Sequence, residues 1–326
     1  MKKQTLISII LFAIVWAFLH FVFHIRFEGL QKLWLLAIYF AIHFVADLLS
    51  KKDIQQQKEE EKFKDWPTSG PIGKYGQNGL LFMFYTTGLL TFLNPFQLYQ
   101  IIKQAIGNFR LKSDKKSLID NADNYTNEVD YILPFEKGVE WLVYNGGVTK
   151  QSSHSWDVIT QRFAYDFVIA DETHNRHKNK GTKLEDYFCF NQNIVAVADG
   201  EVVKAVNNKR NAPFVGYGIL DFLTTSFIGN YVIIKHTENE FSFYAHLNKG
   251  TATVKLGNKV TQGQIIGKCG HSGYSSEPHL HFHLQDRADF YTAKGLPVRF
   301  SNIFIDKNKR EEAVFISAGN RVSQQY

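Results

Sequence analysis

The run Pro278-His279-Leu280-His281-Phe282 alternates imidazole and apolar side chains, and it constrains the fold more than any other stretch of the chain. Successive side chains of an extended strand point to opposite faces. His279, His281 and His283 therefore share one face, with Leu280 and Phe282 on the other. The pattern reads as a half-buried strand of an antiparallel sheet. Imidazoles on alternate residues root about 6–7 Å apart, at ~3.3 Å rise per residue, and can converge on one metal ion.

Other segments of the C-terminal half support a β-rich domain. Val197-Ala198-Asp199-Gly200-Glu201-Val202-Val203 reads as strand, Asp-Gly turn, strand. Val260 to Gly270 reads as two short strands around a Gly turn. Asp166 lies in Gln161–Phe167 and His246 in Phe243-Tyr244-Ala245-His246-Leu247. Carboxylate and imidazole are the donors that suit zinc.

The ordered set AVADGEVV, GNYVIIKH, FYAHL and VTQGQIIGKCGHSGYSSEPHLHF, within roughly residues 130–290, resembles the lysostaphin/LytM-type zinc endopeptidases, which cut peptide bonds in bacterial peptidoglycan. The resemblance implies a compact, mostly antiparallel β peptidase domain, with zinc in a groove between loops. It implies Asp166 and His281 as metal ligands, and His279 and His246 as catalytic residues. His279 would be the general base, and His246 would stabilise charge on the carbonyl oxygen. Tyr244 is either a helper at that oxygen or a packed strand aromatic. The family's first ligand His lies four residues before the Asp, and here Arg162 holds that position. Guanidinium has no lone pair to give. His154 is the expected replacement, with His174 and His177 as alternatives in a solvated loop. His283 stands where the family often has an acid, and is expected to be an outward polar residue. Gly270, Ser272, Gly273, Ser275 and Ser276 are expected to form a flexible groove wall. The resemblance leaves a second reading: a LytM-like module that has lost catalysis and serves cell-wall binding or regulation.

The N-terminal third differs in composition. Of the net charge of +6, residues 1–124 hold 15 Lys+Arg against 10 Asp+Glu, or +5, leaving +1 for the remainder. No basic stripe interleaves with aromatics in the catalytic half, so nucleic acid is excluded as a partner. Gln4–Ile25 is a charge-free run of 22 residues, near the ~20 that a helix needs to cross a bilayer. Leu33–Ala46 is a charge-free run of 14, bracketed by Lys32 and Lys51, and Tyr75–Ile102 is one of 28 that Asn94-Pro95 kinks or ends. These runs predict two to three transmembrane helices over residues 1–112, a polar linker over 113–127 and the β domain over 128–326. Lys51, Lys52, Lys58, Lys62, Lys64 and Lys74 between the second and third runs predict a cytoplasmic loop. The expected protein is multi-pass in the cell membrane, with its catalytic domain outside. Membrane lipid and peptidoglycan peptide are its partners. The two cysteines, Cys189 and Cys269, exclude a disulfide framework and leave one disulfide or two buried thiols open.

Overall fold

The structure, a computed structural model, describes residues 70–113, 118–119 and 121–325, all within one compact unit. The predicted spans at 4–25 and 33–46, and the linker lysines from Lys51 to Lys64, lie outside the described residues. Two helices come first, α1 (Gly76–Thr91) and α2 (Pro95–Ser113). Thirteen strands follow among the described residues: β1 (Trp141–Asn145), β2 (Tyr165–Val168), β3 (Asn193–Val195), β4 (Gly200–Val206), β5 (Asn230–Lys235), β6 (Phe241–Leu247), β7 (Lys259–Val260), β8 (Ile265–Lys268), β9 (Leu280–Gln285), β10 (Gly295–Leu296), β11 (Ile303–Ile305), β12 (Asn308–Arg310) and β13 (Arg321–Gln324).

The main sheet runs β12-β11-β13-β1-β2-β9-β6-β5-β4-β7, with β10 on β9 and every pairing antiparallel. β3 and β8 form a second, two-stranded sheet. The Asp-Gly turn precedes β4, and Gly263, at φ 81°, turns the chain between β7 and β8. The mostly antiparallel β domain agrees with the reading of the sequence.

β9 is buried on both faces, which the alternation alone did not show. Leu280, Phe282 and Leu284 enter the main core with Tyr244, Phe300 and Trp141. The face carrying His281, His283 and Gln285 is covered too: a second cluster of Ile228, Ile233, Phe241, Phe243, Ala245 and Phe290 lies there, and Phe243 stacks on His283 with ring centroids 4.7 Å apart. Tyr244 is fully buried, and its hydroxyl accepts from Val197 N. It is the packed strand aromatic of the two readings.

The run Tyr75–Ile102 is not one continuous helix but is divided between α1 and the first part of α2. Among the described residues no single helix is long and apolar enough to cross a membrane; α1 and α2 together meet that length and composition, as a pair bent by 96°. Asn94 makes the break by capping α2, its Oδ1 accepting from Phe96 N at 3.0 Å, while Pro95 takes the first helical position. Both helices dock on the β domain along their length. Gln97 donates to Asp221 O, Gln100 accepts from Phe227 N, and Asn108 accepts from Ile159 N. Gly107 lies so close to Tyr291 O that a Cβ there would meet it at 1.8 Å. Part of the expected linker is structured as well, since Ile119 and Tyr125 pack on the core.

Candidate metal and catalytic site

The site lies where β2, β9 and β6 run side by side. Register sets Asp166 opposite His281, and His281 opposite Ala245. Cross-strand partners share a face, so Asp166 and His281 meet: Nδ1 of His281 lies 2.9 Å from Oδ1 of Asp166. Residue 246 adjoins that row through a bulge. Between the pairs Asn230↔Leu247 and Val232↔Tyr244 the β6 strand carries one residue more than β5. His246 takes φ 60° there, a left-handed conformation uncommon outside glycine. Its ring then stands 4.8 Å from that of His279 and 6.0 Å from that of His281.

His154 reaches the same carboxylate from a loop, its Nε2 3.6 Å from Asp166 Oδ2. The eleven residues between them fold back through successive turns: Val158 N bonds Ser155 O and Gln161 N bonds Val158 O. Arg162 braces this loop, donating to Trp156 O and Ile119 O with its guanidinium over the Trp156 ring. The residue in the family's ligand position thus holds the loop that delivers His154. His177 is turned elsewhere, its Nε2 accepting from Gly70 N at 2.9 Å, and His174 sits in a turn organised by Asp171.

Hydrogen bonds determine which nitrogen of each histidine faces the site. A backbone carbonyl only accepts. His279 Nδ1 lies 2.8 Å from Glu277 O, and His246 Nδ1 lies 2.8 Å from Ser272 O. Both Nδ1 atoms must therefore carry the proton, which leaves each Nε2 with a free lone pair. That of His279 is 3.8 Å from Asp166 Oδ1. His281 is set by a longer chain. Gln285 Nε2 donates to Arg287 O, so its Oε1 faces His283 and accepts from His283 Nε2–H at 2.8 Å. His283 Nδ1 is then bare and accepts from His281 Nε2–H at 3.2 Å. A neutral His281 consequently presents a bare Nδ1 to the Asp166 carboxylate.

His154 Nε2, an Asp166 oxygen and His281 Nδ1 make a two-imidazole, one-carboxylate donor set of the kind that holds zinc. Among the described residues no group of three His, Cys, Asp or Glu side chains is placed so as to hold a metal ion; His154 and His281 each approach Asp166, at 3.6 and 2.9 Å. Their chemistry fits the ion. A bare Nδ1 beside a carboxylate is satisfied by a cation between them, or by a second proton on His281. Burial alone would raise the Asp166 pKa. His154, the His281 hydrogen bond and His279 outweigh it and hold the carboxyl below the usual range. Burial, then His279 and His281, pushes His246 well down, so it is neutral at pH 7.

Two expectations need correction. His283 is fully buried rather than outward, and touches a candidate ligand. The Gly270–Ser276 wall is pinned rather than loose: Ser272 Oγ donates to Leu247 O at 2.7 Å and accepts from Asn230 N, while Gly229, at φ 77°, packs so closely that a Cβ would meet Ser272 O at 2.4 Å. Two site-shaping residues, Arg176 and Glu277, were not singled out in the sequence. Arg176 pairs with Glu277 at 2.8 Å and anchors the loop whose carbonyl orients His279, and Ser275 also donates to that carbonyl. Cys189 and Cys269 are free, buried thiols.

Two outcomes follow. His283→Phe keeps a planar aromatic ring at the position and removes the acceptor for His281 Nε2–H. Zinc affinity, measured by competition with a chromophoric chelator, is expected to fall ~10–100-fold with the fold retained; unchanged affinity removes the chain from the account. Burial also pushes His271 down to about 4 and His283 to about 3, from 6.5. The unfolded chain then binds more protons below pH 6.5. Their contribution to stability is complete above 6.5 and is lost as pH falls toward 4 and then 3. Urea unfolding of the metal-free protein is expected to give lower stability at pH 4.5 than at 6.5, and a flat profile contradicts neutral burial.

With this geometry in hand, comparison with known proteins is specific. Residues 178–293 match the model of Peptidase family M23, a span that includes His246, His279 and His281 and begins after His154 and Asp166. The peptidoglycan DD-endopeptidase ShyA of Vibrio cholerae is 36% identical over 102 residues, 30% of this chain and 22% of its own length. The peptidoglycan DD-endopeptidase ShyC of the same organism is 25% identical over 191 residues, 51% of this chain and 44% of its own. The chain thus spans less than half the length of either relative. A zinc-containing peptidase from Vibrio cholerae superposes over 52% of this chain and 41% of its own, with 20% identity and a TM-score of 0.33; the assignment rests on the sequence matches. Residues 178–293 are thus similar to Peptidase family M23, in line with the lysostaphin/LytM resemblance of the motifs, and the peptidoglycan DD-endopeptidases ShyA and ShyC share that similarity.

Proposed function

We propose that the protein is a membrane-anchored, zinc-dependent endopeptidase that hydrolyses peptide bonds of bacterial peptidoglycan on the outer side of the membrane. The observation that carries the reading is the convergence on Asp166 of three imidazoles, His154, His279 and His281, with His246 beside them. His154, Asp166 and His281 would hold the zinc. Bound there, the ion would polarise the scissile carbonyl and make water a competent nucleophile near neutral pH.

The chain's own groups then move the proton. His279 Nε2, free because Nδ1–H is committed to Glu277 O, takes the proton from the attacking water and returns it to the leaving amine. His246 has the same tautomer. Its Nε2 has no hydrogen to give until it gains one, so it supports charge on the carbonyl oxygen only after accepting a proton. Ser272 and the bulge hold its ring in place.

Anchoring is assigned to the apolar runs 4–25 and 33–46, since α1 and α2 dock on the β domain. An outer β domain then requires one crossing with the N-terminus inside, or two with the N-terminus outside; in either case Lys51–Lys74 lie outside with it, against the cytoplasmic side that their charge predicts.

The test is digestion of purified peptidoglycan by the full chain in detergent, read by mass. His279→Ala and His246→Ala are expected to keep zinc and lose ~10²–10⁴ in rate. Wild-type zinc binding without any cleaved peptide bond would favour a binding or regulatory module. Protease added to intact, wall-stripped cells is expected to reach the β domain; protection until lysis contradicts the outer placement.

A further inference from the structure

Helix α2 is amphipathic in the inverse sense. Its polar side chains Gln97, Gln100, Gln104 and Asn108 face the β domain and are buried or half-buried, with hydrogen bonds to Asp221 O, Thr225 O, Thr160 Oγ1 and Asp157 O. Its apolar side chains face out: Phe96, Tyr99, Ile102, Ile106 and Phe109 are 60%, 65%, 49%, 47% and 76% exposed. They recur every three or four residues and so form one stripe. α1 and the bend extend it through Phe82, Leu89, Phe92 and Leu93. Of the nineteen exposed large apolar side chains among the described residues, fourteen lie between Tyr75 and Phe109. A water-facing surface of that extent is far beyond the few hundred Å² that soluble monomers tolerate.

We propose that α1 and α2 are a membrane-interface surface, lying in the plane of an anionic lipid bilayer with the stripe immersed among the acyl chains and headgroups. Three observations select lipid as the occupant. Residues 70–113 carry Lys74, Lys103, Arg110 and Lys112 and no acidic residue, which is complementary to anionic headgroups. By helical spacing Lys103 and Arg110 border the stripe. A two-fold contact between copies of this chain would instead bring those like charges together. The charge-free runs 4–25 and 33–46 precede the pair on the same chain, the second ending about thirty residues before α1. The pair is bent by 96°, and both helices bond to the β domain, α1 through Thr87 and Thr91 and α2 through Gln97, Gln100 and Asn108, which sets them in the plane of the bilayer rather than across it. α1 also abuts the site wall, with Thr91 Oγ1 donating to Tyr274 OH at 3.3 Å. Binding in this way holds the loop carrying Ser272 and Ser275 close to the lipid surface. The proposal is independent of whether the site is catalytic.

The test uses the full chain in vesicles of three parts phosphatidylcholine to one part phosphatidylglycerol. Single cysteines replace Phe96, Ile106, Phe109 and, as a water-exposed control, Lys255, each carrying a nitroxide; the native thiols are buried. The ratio of oxygen to nickel-chelate accessibility is expected to be several-fold higher at positions 96, 106 and 109 than at 255. It is also expected to be similar among the three, as an in-plane helix requires, and lower in vesicles without phosphatidylglycerol. A ratio equal to that at 255 means the stripe faces water. Protection from both reagents means that residues 1–69 or a second copy cover it. A depth that rises steadily from 96 to 109 means the helix crosses. Each of these three results overturns the proposal.

Discussion

The contact between Asp166 and His281 is the constraint on which the site depends. It is set by strand register: β2 and β9 are neighbours, and their pairing puts these two residues opposite each other on one face. A slip of one residue in β9 would send His281 to the face opposite Asp166. The apolar alternation of Leu280, Phe282 and Leu284 into the main core guards against that slip. The same burial that fixes the strand thus fixes the polar pair on its other face. Both faces are covered, so the pair is dehydrated enough for its charges to matter.

Around this pair the backbone does work usually left to side chains. Two carbonyls, Glu277 O and Ser272 O, fix the protons of His279 and His246. The Arg176–Glu277 ion pair holds the first carbonyl, and the Ser272–Asn230–Leu247 bonds hold the second. His246 keeps an unfavourable φ of 60° because the bulge and these bonds over-determine it. Strain and hydrogen bonding together place one free imidazole nitrogen per catalytic candidate.

Much of this was readable from residue order, and the rest was not for identifiable reasons. The period of two at 279–283 correctly marked a strand, and the Asp-Gly and Gly263 turns were where their residues put them. Asp166, His246, His279 and His281 come together in space. His154, expected in place of Arg162 because a guanidinium cannot donate a lone pair, lies beside Asp166; that Arg162 braces the intervening loop required the folded chain. The burial of His283 was missed, since alternation says which face a residue shares but not what covers that face. The break in the third run was foreseen at Asn94-Pro95, but its docking was not. A charge-free run is apolar by composition, yet Asn94, Gln97 and Gln100 bond to the β domain and leave Phe96, Tyr99 and Ile102 exposed.

The central claim is that His154, Asp166 and His281 present nitrogen and oxygen lone pairs to a single zinc ion. X-ray absorption at the zinc edge of the purified full chain, combined with metal content, tests it directly. The account predicts one zinc per chain in a shell of two imidazole nitrogens and oxygens, with one imidazole lost in His154→Ala. Sulfur ligation through Cys189 or Cys269, or an unchanged shell in His154→Ala, would contradict it.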